Sequence, residues 1–261
     1  MKLQNTFIWE NTSSFFLRLG FYKNKNLTFF KFIKIMKKVL LFILFFISFT
    51  NFNAQTKAEQ NFGSWYYIYG THKISNNWSF LTGFEERNYQ TLKNYNLTLY
   101  TVGANYKVSD KFTATLGYMY LDIDRTFDPD VDPNTIENRH YEQISYKSNF
   151  LNFPFYQRVR FEHRHLNSMG NNSLINRMRY RFKTKIALNK TFYLTASNES
   201  FLNFKGNLYA ENRFISSFGF KASKNISLEI GYLGHYINDL HLYRLQFGLF
   251  FNTDLSKKAT N

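Results

Sequence analysis

Arginine recurs at every second position in two neighbouring stretches of the chain. Residues 155–188 read FYQRVRFEHRHLNSMGNNSLINRMRYRFKTKIAL. A guanidinium group binds a carboxylate or a phosphate through two parallel hydrogen bonds, so a row of such groups could hold or conduct an anionic solute. The basic positions are Arg158, Arg160, Arg164, Arg177, Arg179, Arg181, Lys183 and Lys185. Recognition of an anion is therefore the first chemistry that the sequence suggests.

These cations need carboxylate partners, because like charges placed directly opposite each other across strands repel. Two interpretations stay open: an ion-pair network that fills a narrow interior, or the lining of a channel or pocket for a small anionic solute. The residues expected on this charged face are Glu85, Arg87, Arg158, Arg160, Glu162, Arg164, Arg177, Arg179, Arg181, Lys183, Glu199, Glu229 and Arg244, with Glu211 as a further partner.

Other chemistry has weaker support in the sequence. There is no G-x-S-x-G elbow, no H-E-x-x-H motif and no glycine-rich phosphate loop, so no catalytic residues are assigned. Two acid–base couples remain testable, Glu142 with His140 and Glu162 with His163. They keep open an enzyme acting on lipid or envelope material. His163 and His165 share a face but have no third ligand at a suitable spacing, so neither a metal nor a cofactor is expected.

Composition narrows the class of protein. The chain has 261 residues, 31 of them Phe and 19 Tyr, and it has no Cys. Disulfide and thiolate chemistry are thereby excluded, which suits an exported bacterial protein. The formal net charge is +15, but the charges alternate along extended runs and do not cluster on one arm. This pattern does not indicate a nucleic-acid partner.

The N-terminal part has the features of a secretory leader. Residues 36–54 combine two lysines, an eleven-residue apolar stretch at 39–49 and a polar end, and so predict a signal peptide. Eleven apolar residues are too few for a membrane-spanning helix, which needs about 20. Residues 1–35 are interpreted as an over-extended start or a long basic leader region. Residues 55–261 then form the mature domain.

The mature domain reads as a succession of long strands joined by turns. The predicted runs are 61–74, 78–90, 95–108, 111–124, 138–150, 154–166, 174–188, 191–204, 211–223, 225–237 and 241–251. Strands of globular proteins have about 5–6 residues, whereas crossing a bilayer at a tilt takes about 9–11. Short turns alternate with longer links at 90–94, 125–137, 167–173 and 205–210. The pattern predicts an antiparallel up-and-down transmembrane barrel with its short turns in the periplasm.

The number of predicted strands conflicts with a general rule for such barrels. The sequence gives eleven runs, whereas single-chain bacterial barrels have even numbers of strands. We therefore expect ten or twelve strands, with one run misread or one missed.

Alternation of residue types predicts which face each side chain occupies. In a membrane barrel the apolar rows contact lipid and the charged rows line the lumen. Aromatic residues near strand ends would form girdles at the two interfaces; the candidates are Trp65, Trp78, Tyr89, Tyr106, Tyr141 and Tyr193. In the alternative, an exported ligand-binding β-sandwich, the apolar rows would form a core and the charges would face water.

Several short motifs occur in the order found in one known family. They are NFGSWYYIYGTHKISNNWSF at 61–80, ENRHYEQ at 137–143, RVRFEHR at 158–164, RMRYR at 177–181, SNESFLNF at 197–204, ENRF at 211–214 and LEIGY at 228–232. The chain thereby resembles, over nearly all of 60–250, the uncharacterised Gram-negative outer-membrane barrels known as domain of unknown function 2490. The resemblance implies an outer-membrane barrel in contact with lipid, with no established activity. The ten polar-leaning residues after Phe251 depart from a barrel that ends on a terminal aromatic.

Overall fold

The structure is a computed structural model that describes residues 58–128, 134–150 and 153–256. The predicted signal peptide and the segment before it lie outside the described residues. Within them, eleven strands form one closed barrel, which confirms the predicted all-β barrel architecture. No helix in this part of the chain is long and apolar enough to cross a membrane. The strands are β1 (Phe62–Lys73), β2 (Trp78–Gln90), β3 (Lys93–Lys107), β4 (Phe112–Ile123), β5 (Thr135–Phe150), β6 (Phe153–Ser168), β7 (Asn171–Ala187), β8 (Phe192–Asn203), β9 (Tyr209–Lys221), β10 (Ile226–Ile237) and β11 (Leu240–Asp254).

The barrel closes through one parallel pair, between β1 and β11. Phe62 lies opposite Tyr243 at one end of this seam, and Lys73 lies opposite Asp254 at the other. All other neighbouring strands are antiparallel and consecutive in sequence. With an odd number of alternating strands the first and the last run in the same direction, so they can close only in parallel. The expectation of ten or twelve strands was therefore wrong, although the eleven runs behind it were read correctly.

At one end of the barrel, four hairpins share one capping device. We call it the turn end; β1 finishes there and β2 begins there. Ser75 Oγ accepts hydrogen bonds from the backbone N–H groups of Asn77 and Trp78, at 3.3 and 3.1 Å. Ser109, Asn189 and Ser223 accept bonds from the second and third residues after them in the same way. These side chains replace backbone partners in a tight turn.

At the opposite, loop end, the strands run further than predicted. Ser168 pairs with Asn171, which leaves a two-residue turn at Met169 and Gly170. Both turn residues have positive φ, at 50° and 81°, as a type I′ hairpin turn requires. The predicted long link at 167–173 was wrong, because the polar run after the turn continues the ladder. The link at 90–94 is likewise a two-residue turn, between Gln90 and Lys93.

The barrel exposes apolar side chains and buries charged ones, which is the reverse of a soluble domain. Leu116 and Ile230 on the outer wall are 66% and 50% exposed, whereas Glu162 and Arg244 inside are 1% and 2% exposed. Apolar rows therefore face outward and charged rows face the interior, as alternation predicted. The β-sandwich alternative is wrong, because the strands form one closed sheet whose interior is charged.

Most of the predicted girdle aromatics lie inside the barrel instead. Trp65, Tyr89, Tyr141 and Tyr193 are buried, so their assignment to the membrane interfaces was wrong. Each of the four occupies an inward position of its strand, and parity outweighs the general preference of Trp and Tyr for an interface. Trp78 and Tyr106 are on the outer wall near the turn end, with ring centroids 4.9 Å apart, where a girdle is expected.

Glycines on the inner wall make room for these rings. The ring of Tyr141 lies against the Cα of Gly117, and Tyr193 lies against Gly219 in the same way. A side chain at either glycine would occupy the space of the ring. The interior is thus filled by aromatic rings packed against glycines as well as by charges.

Replacing Gly117 with valine is therefore expected to destabilise the barrel by about 1–3 kcal/mol, because overpacking displaces the ring of Tyr141. The measurement is urea unfolding of the refolded protein in detergent micelles, followed by tryptophan fluorescence. Gly234→Ala is the matched control, since a Cβ at Gly234 would lie 3.6 Å from its nearest neighbours. Equal stability of the two variants would contradict this account of the packing.

Candidate functional site

The inward faces of the strands bring the predicted charged residues around one interior cavity of about 1360 Å³. Twelve of the thirteen predicted residues line it, and the exception, Glu162, lies behind the arginines that it binds. The lining set is Glu85, Arg87, Arg158, Arg160, Arg164, Arg177, Arg179, Arg181, Lys183, Glu199, Glu229 and Arg244. We call this cavity the lumen.

The strand register places arginines directly opposite each other at three levels of the lumen. The facing pairs are Arg139 with Arg164 between β5 and β6, and both Arg160 with Arg179 and Arg158 with Arg181 between β6 and β7. Such pairs destabilise a sheet unless a carboxylate lies between them.

Glu162 is the centre of the largest cluster. Its carboxylate lies 2.6 Å from Arg177 Nη2 and 2.7 Å from Arg179 Nη1. Arg139 and Arg160 follow at 3.5 and 3.7 Å. Four guanidinium groups from three strands thus converge on one buried carboxylate. A buried charge is tolerated only with such partners, since its desolvation is otherwise uncompensated.

A second carboxylate, Glu137, neutralises the pair nearest the loop end. Arg164 donates from Nε and Nη2 to its two oxygens, each at 2.8 Å, which is the bidentate geometry of guanidinium and carboxylate. Arg139 donates from Nε at 2.7 Å. Glu137 and Arg139 were absent from the predicted set. Their positions in the motif ENRHYEQ share the parity of Tyr141 and Gln143, so alternation alone could have found them.

Glu211 and His235 form a third cluster, on β9 and β10. Arg244 Nη1 lies 3.2 Å from His235 Nδ1, and Arg213 Nε donates to His235 Nε2 at 3.2 Å. Glu211 Oε1 lies 2.6 Å from the same Nε2. Arg213 also pairs with Glu211. His235 thus lies between two guanidinium groups and one carboxylate inside the barrel. Arg213 and His235 were not predicted, although both have inward parity.

Aromatic rings of the inner wall pack against several of the guanidinium groups. The guanidinium carbons of Arg177, Arg179 and Arg213 lie 4.9, 4.5 and 4.6 Å from the ring centroid of Phe201. Arg87 lies 4.0 Å from the centroid of Trp65 and donates to Glu85 at 2.7 Å. Stacking of this kind attracts cations and fixes the orientation of the planar groups.

At the loop end, residues 124–128, the described first part of the β4–β5 connection, fold against the mouth of the lumen. Asn94 Nδ2 donates to the backbone carbonyl of Phe127 at 2.8 Å, and the Phe127 ring lies 5.8 Å from that of Tyr89. Arg125 of this loop lines the lumen. Its burial, together with the nearby charge of Arg164, lowers the pKa of its guanidinium. This apolar contact and the basic Arg125 therefore lie together at the mouth of the lumen.

The proposed acid–base couples are placed differently from the prediction. Glu162 and His163 point to opposite faces of β6, as neighbours in a strand must, so that couple does not form. His163 on the outer wall lies 3.3 Å from Glu142, while the His140 ring packs on His165 with centroids 5.9 Å apart. Among the described residues, no group of three or more His, Asp or Glu could hold a metal ion.

Comparison with known proteins identifies a family. Residues 62–245 match the family described as Protein of unknown function (DUF2490), which confirms the resemblance found in the motifs. No curated protein matches the sequence. Among solved structures the chain is similar to one titled "NanC porin structure in rhombohedral crystal form", with 15% identity and a TM-score of 0.47. That similarity covers 72% of this chain and 97% of the other.

Proposed function

The chain belongs to the family described as Protein of unknown function (DUF2490), and we propose that it is an outer-membrane barrel with a narrow, anion-attracting passage. One observation carries the proposal: a lumen of about 1360 Å³ is lined by more guanidinium groups than carboxylates. The low-dielectric wall strengthens the electrostatic potential of these excess positive charges. Anions are therefore favoured over cations inside the lumen.

The outer wall supports insertion in a membrane. Its exposed residues include a continuous apolar surface on β8 to β11, formed by Phe192, Leu194, Phe218, Phe220, Leu228, Ile230 and Phe247. A soluble monomer rarely exposes an apolar patch of this extent, whereas a barrel in lipid requires one. The closed sheet also leaves no strand edge to be satisfied within the hydrocarbon.

The apolar surface does not cover the full height of the wall. On β5 to β7 the outward residues near the turn end include Ile144, Val159, Phe161 and Tyr180, and those near the loop end include His140, His163, His165 and Asn176. The hydrocarbon layer would therefore surround the turn-end part of the barrel, and the loop end would project into the polar region. This agrees with a periplasmic turn end.

A closed, structural barrel is the second candidate. The ion pairs around Glu162 join residues of β5, β6 and β7, and such a network could fill the interior without leaving a route for solutes. Fractionation of cells, followed by heat-modifiable mobility on gels, tests the membrane barrel common to both candidates. Conductance distinguishes them.

In planar bilayers the refolded protein is expected to give small conductance steps. In a potassium chloride gradient their reversal potential should show preference for chloride. Arg179→Gln and Arg181→Gln together should reduce that preference severalfold, because they remove two lumen charges. Lys224→Gln, in the exposed turn between β9 and β10, is the control and should leave it unchanged. A correctly folded protein that gives no conductance, or that prefers cations, would exclude the anion passage.

A further inference from the structure

The three facing arginine pairs are not equally neutralised. Arg139 and Arg164 share Glu137, with nitrogen–oxygen distances of 2.7 and 2.8 Å. Arg160 and Arg179 both contact the carboxylate of Glu162. Each arginine of these two pairs therefore contacts a buried carboxylate.

In the third pair, Arg158 with Arg181, only Arg158 contacts a carboxylate of the described residues. Glu199 pairs with Arg158, but it also accepts a hydrogen bond from Arg179 at 2.8 Å. Within the described part of the chain, Arg181 makes no hydrogen bond and no ion pair. The Nε atoms of both arginines are buried without a partner. Of the three levels, this is the one that holds an arginine without a carboxylate contact.

A third cation lies one inward position further along β7. Lys183 is 26% exposed, and its Nζ is 3.8 Å from Glu229, beyond hydrogen-bond distance. Arg158, Arg181 and Lys183 all line the lumen, in its turn-end half. The carboxylates that face this group, Glu199 and Glu229, are fewer than its cations.

We propose that Arg158, Arg181 and Lys183 form a binding site for a small oxyanion, namely a phosphate group or a carboxylate. Guanidinium groups on facing strands offer forked donors to two oxygens, and the lysine adds a point charge. Neutralising a buried excess of positive charge favours a doubly charged anion over chloride. The inference deepens the proposed function and rests on it only for the route by which the anion enters.

Isothermal titration calorimetry of the refolded barrel in zwitterionic detergent tests the site, with sodium phosphate as the probe. We expect saturable binding of one phosphate per chain, in the presence of chloride at constant ionic strength. Arg181→Gln should weaken the affinity about 10- to 100-fold, the value of one or two hydrogen bonds between charged groups. The affinity of Arg181→Lys should fall between those of the parent and Arg181→Gln, because lysine keeps the positive charge but loses the forked pair of donors. Lys224→Gln should bind as the parent does.

The variants are compared only where heat-modifiable mobility shows a folded barrel. Arg158→Gln, which removes the facing guanidinium, takes the place of Arg181→Gln if the latter does not fold. Absence of saturable phosphate binding, or equal binding by the parent and the glutamine variants, would overturn the site. Conductance without phosphate binding would refute this inference and leave the anion passage standing. Phosphate binding without conductance would uphold the site and exclude the passage.

Discussion

Replacing Glu162 with glutamine is expected to destabilise the barrel by about 3–5 kcal/mol, the cost of leaving buried charges without their partner. The substitution keeps the shape of the side chain but removes the negative charge on which Arg139, Arg160, Arg177 and Arg179 converge. Of these, Arg160 has no other carboxylate partner among the described residues and would keep only Gln143 and the ring of Tyr141, whose centroid is 4.2 Å away. The measurement is the free energy of unfolding in urea, in detergent micelles.

Glu142→Gln is the matched control for this prediction. Glu142 is on the outer wall, its side chain is 52% exposed, and it faces His163 at 3.3 Å. An exposed pair of this kind contributes about 0–1 kcal/mol. Adding Arg160→Gln to Glu162→Gln should recover part of the lost stability, since one uncompensated cation is removed. A Glu162→Gln variant as stable as Glu142→Gln would show that the cluster does not hold the barrel together.

The inside and the outside of the barrel could be predicted from the sequence because the period of a strand is fixed at two. Once Arg158 and Arg160 were placed inward, every second residue of β6 followed. The ion pairs could not be predicted in the same way. Arg177 on β7 reaches Glu211 on β9 at 3.1 Å, across an intervening strand, and such a contact depends on the curvature of the closed wall.

The predictions that failed relied on residue type or on a general rule where the local alternation of the strand pointed elsewhere. Tyr141 shares the parity of Glu137 and Arg139 and is buried with them, yet its type suggested a membrane interface. The space for its ring comes from Gly117 on the neighbouring strand, which is a property of register and not of either segment alone. In the same way, the sequence contains eleven strand-like runs, but the rule that bacterial barrels have even strand numbers led to an expectation of ten or twelve.

Replacing Ile230 with arginine is expected to destabilise the inserted barrel by about 2–4 kcal/mol, the cost of a charge near the bilayer midplane. Ile230 is 50% exposed and lies between Phe218 and Phe247 in the apolar surface. In water, arginine at a half-exposed position costs about 0.5 kcal/mol or less. The free energy of unfolding in lipid vesicles, compared with the parent protein, measures the difference.

Leu174→Arg separates the effect of lipid from that of the substitution itself. Leu174 is also on the outer wall and 49% exposed, but it lies opposite His165 near the loop end, among polar neighbours. Close to or beyond the interface the same change should cost about 0–1 kcal/mol. The contrast between two aliphatic residues of equal exposure depends only on what surrounds the wall at each height. Equal costs at both positions would mean that the apolar surface does not contact hydrocarbon, and the membrane placement would then be wrong.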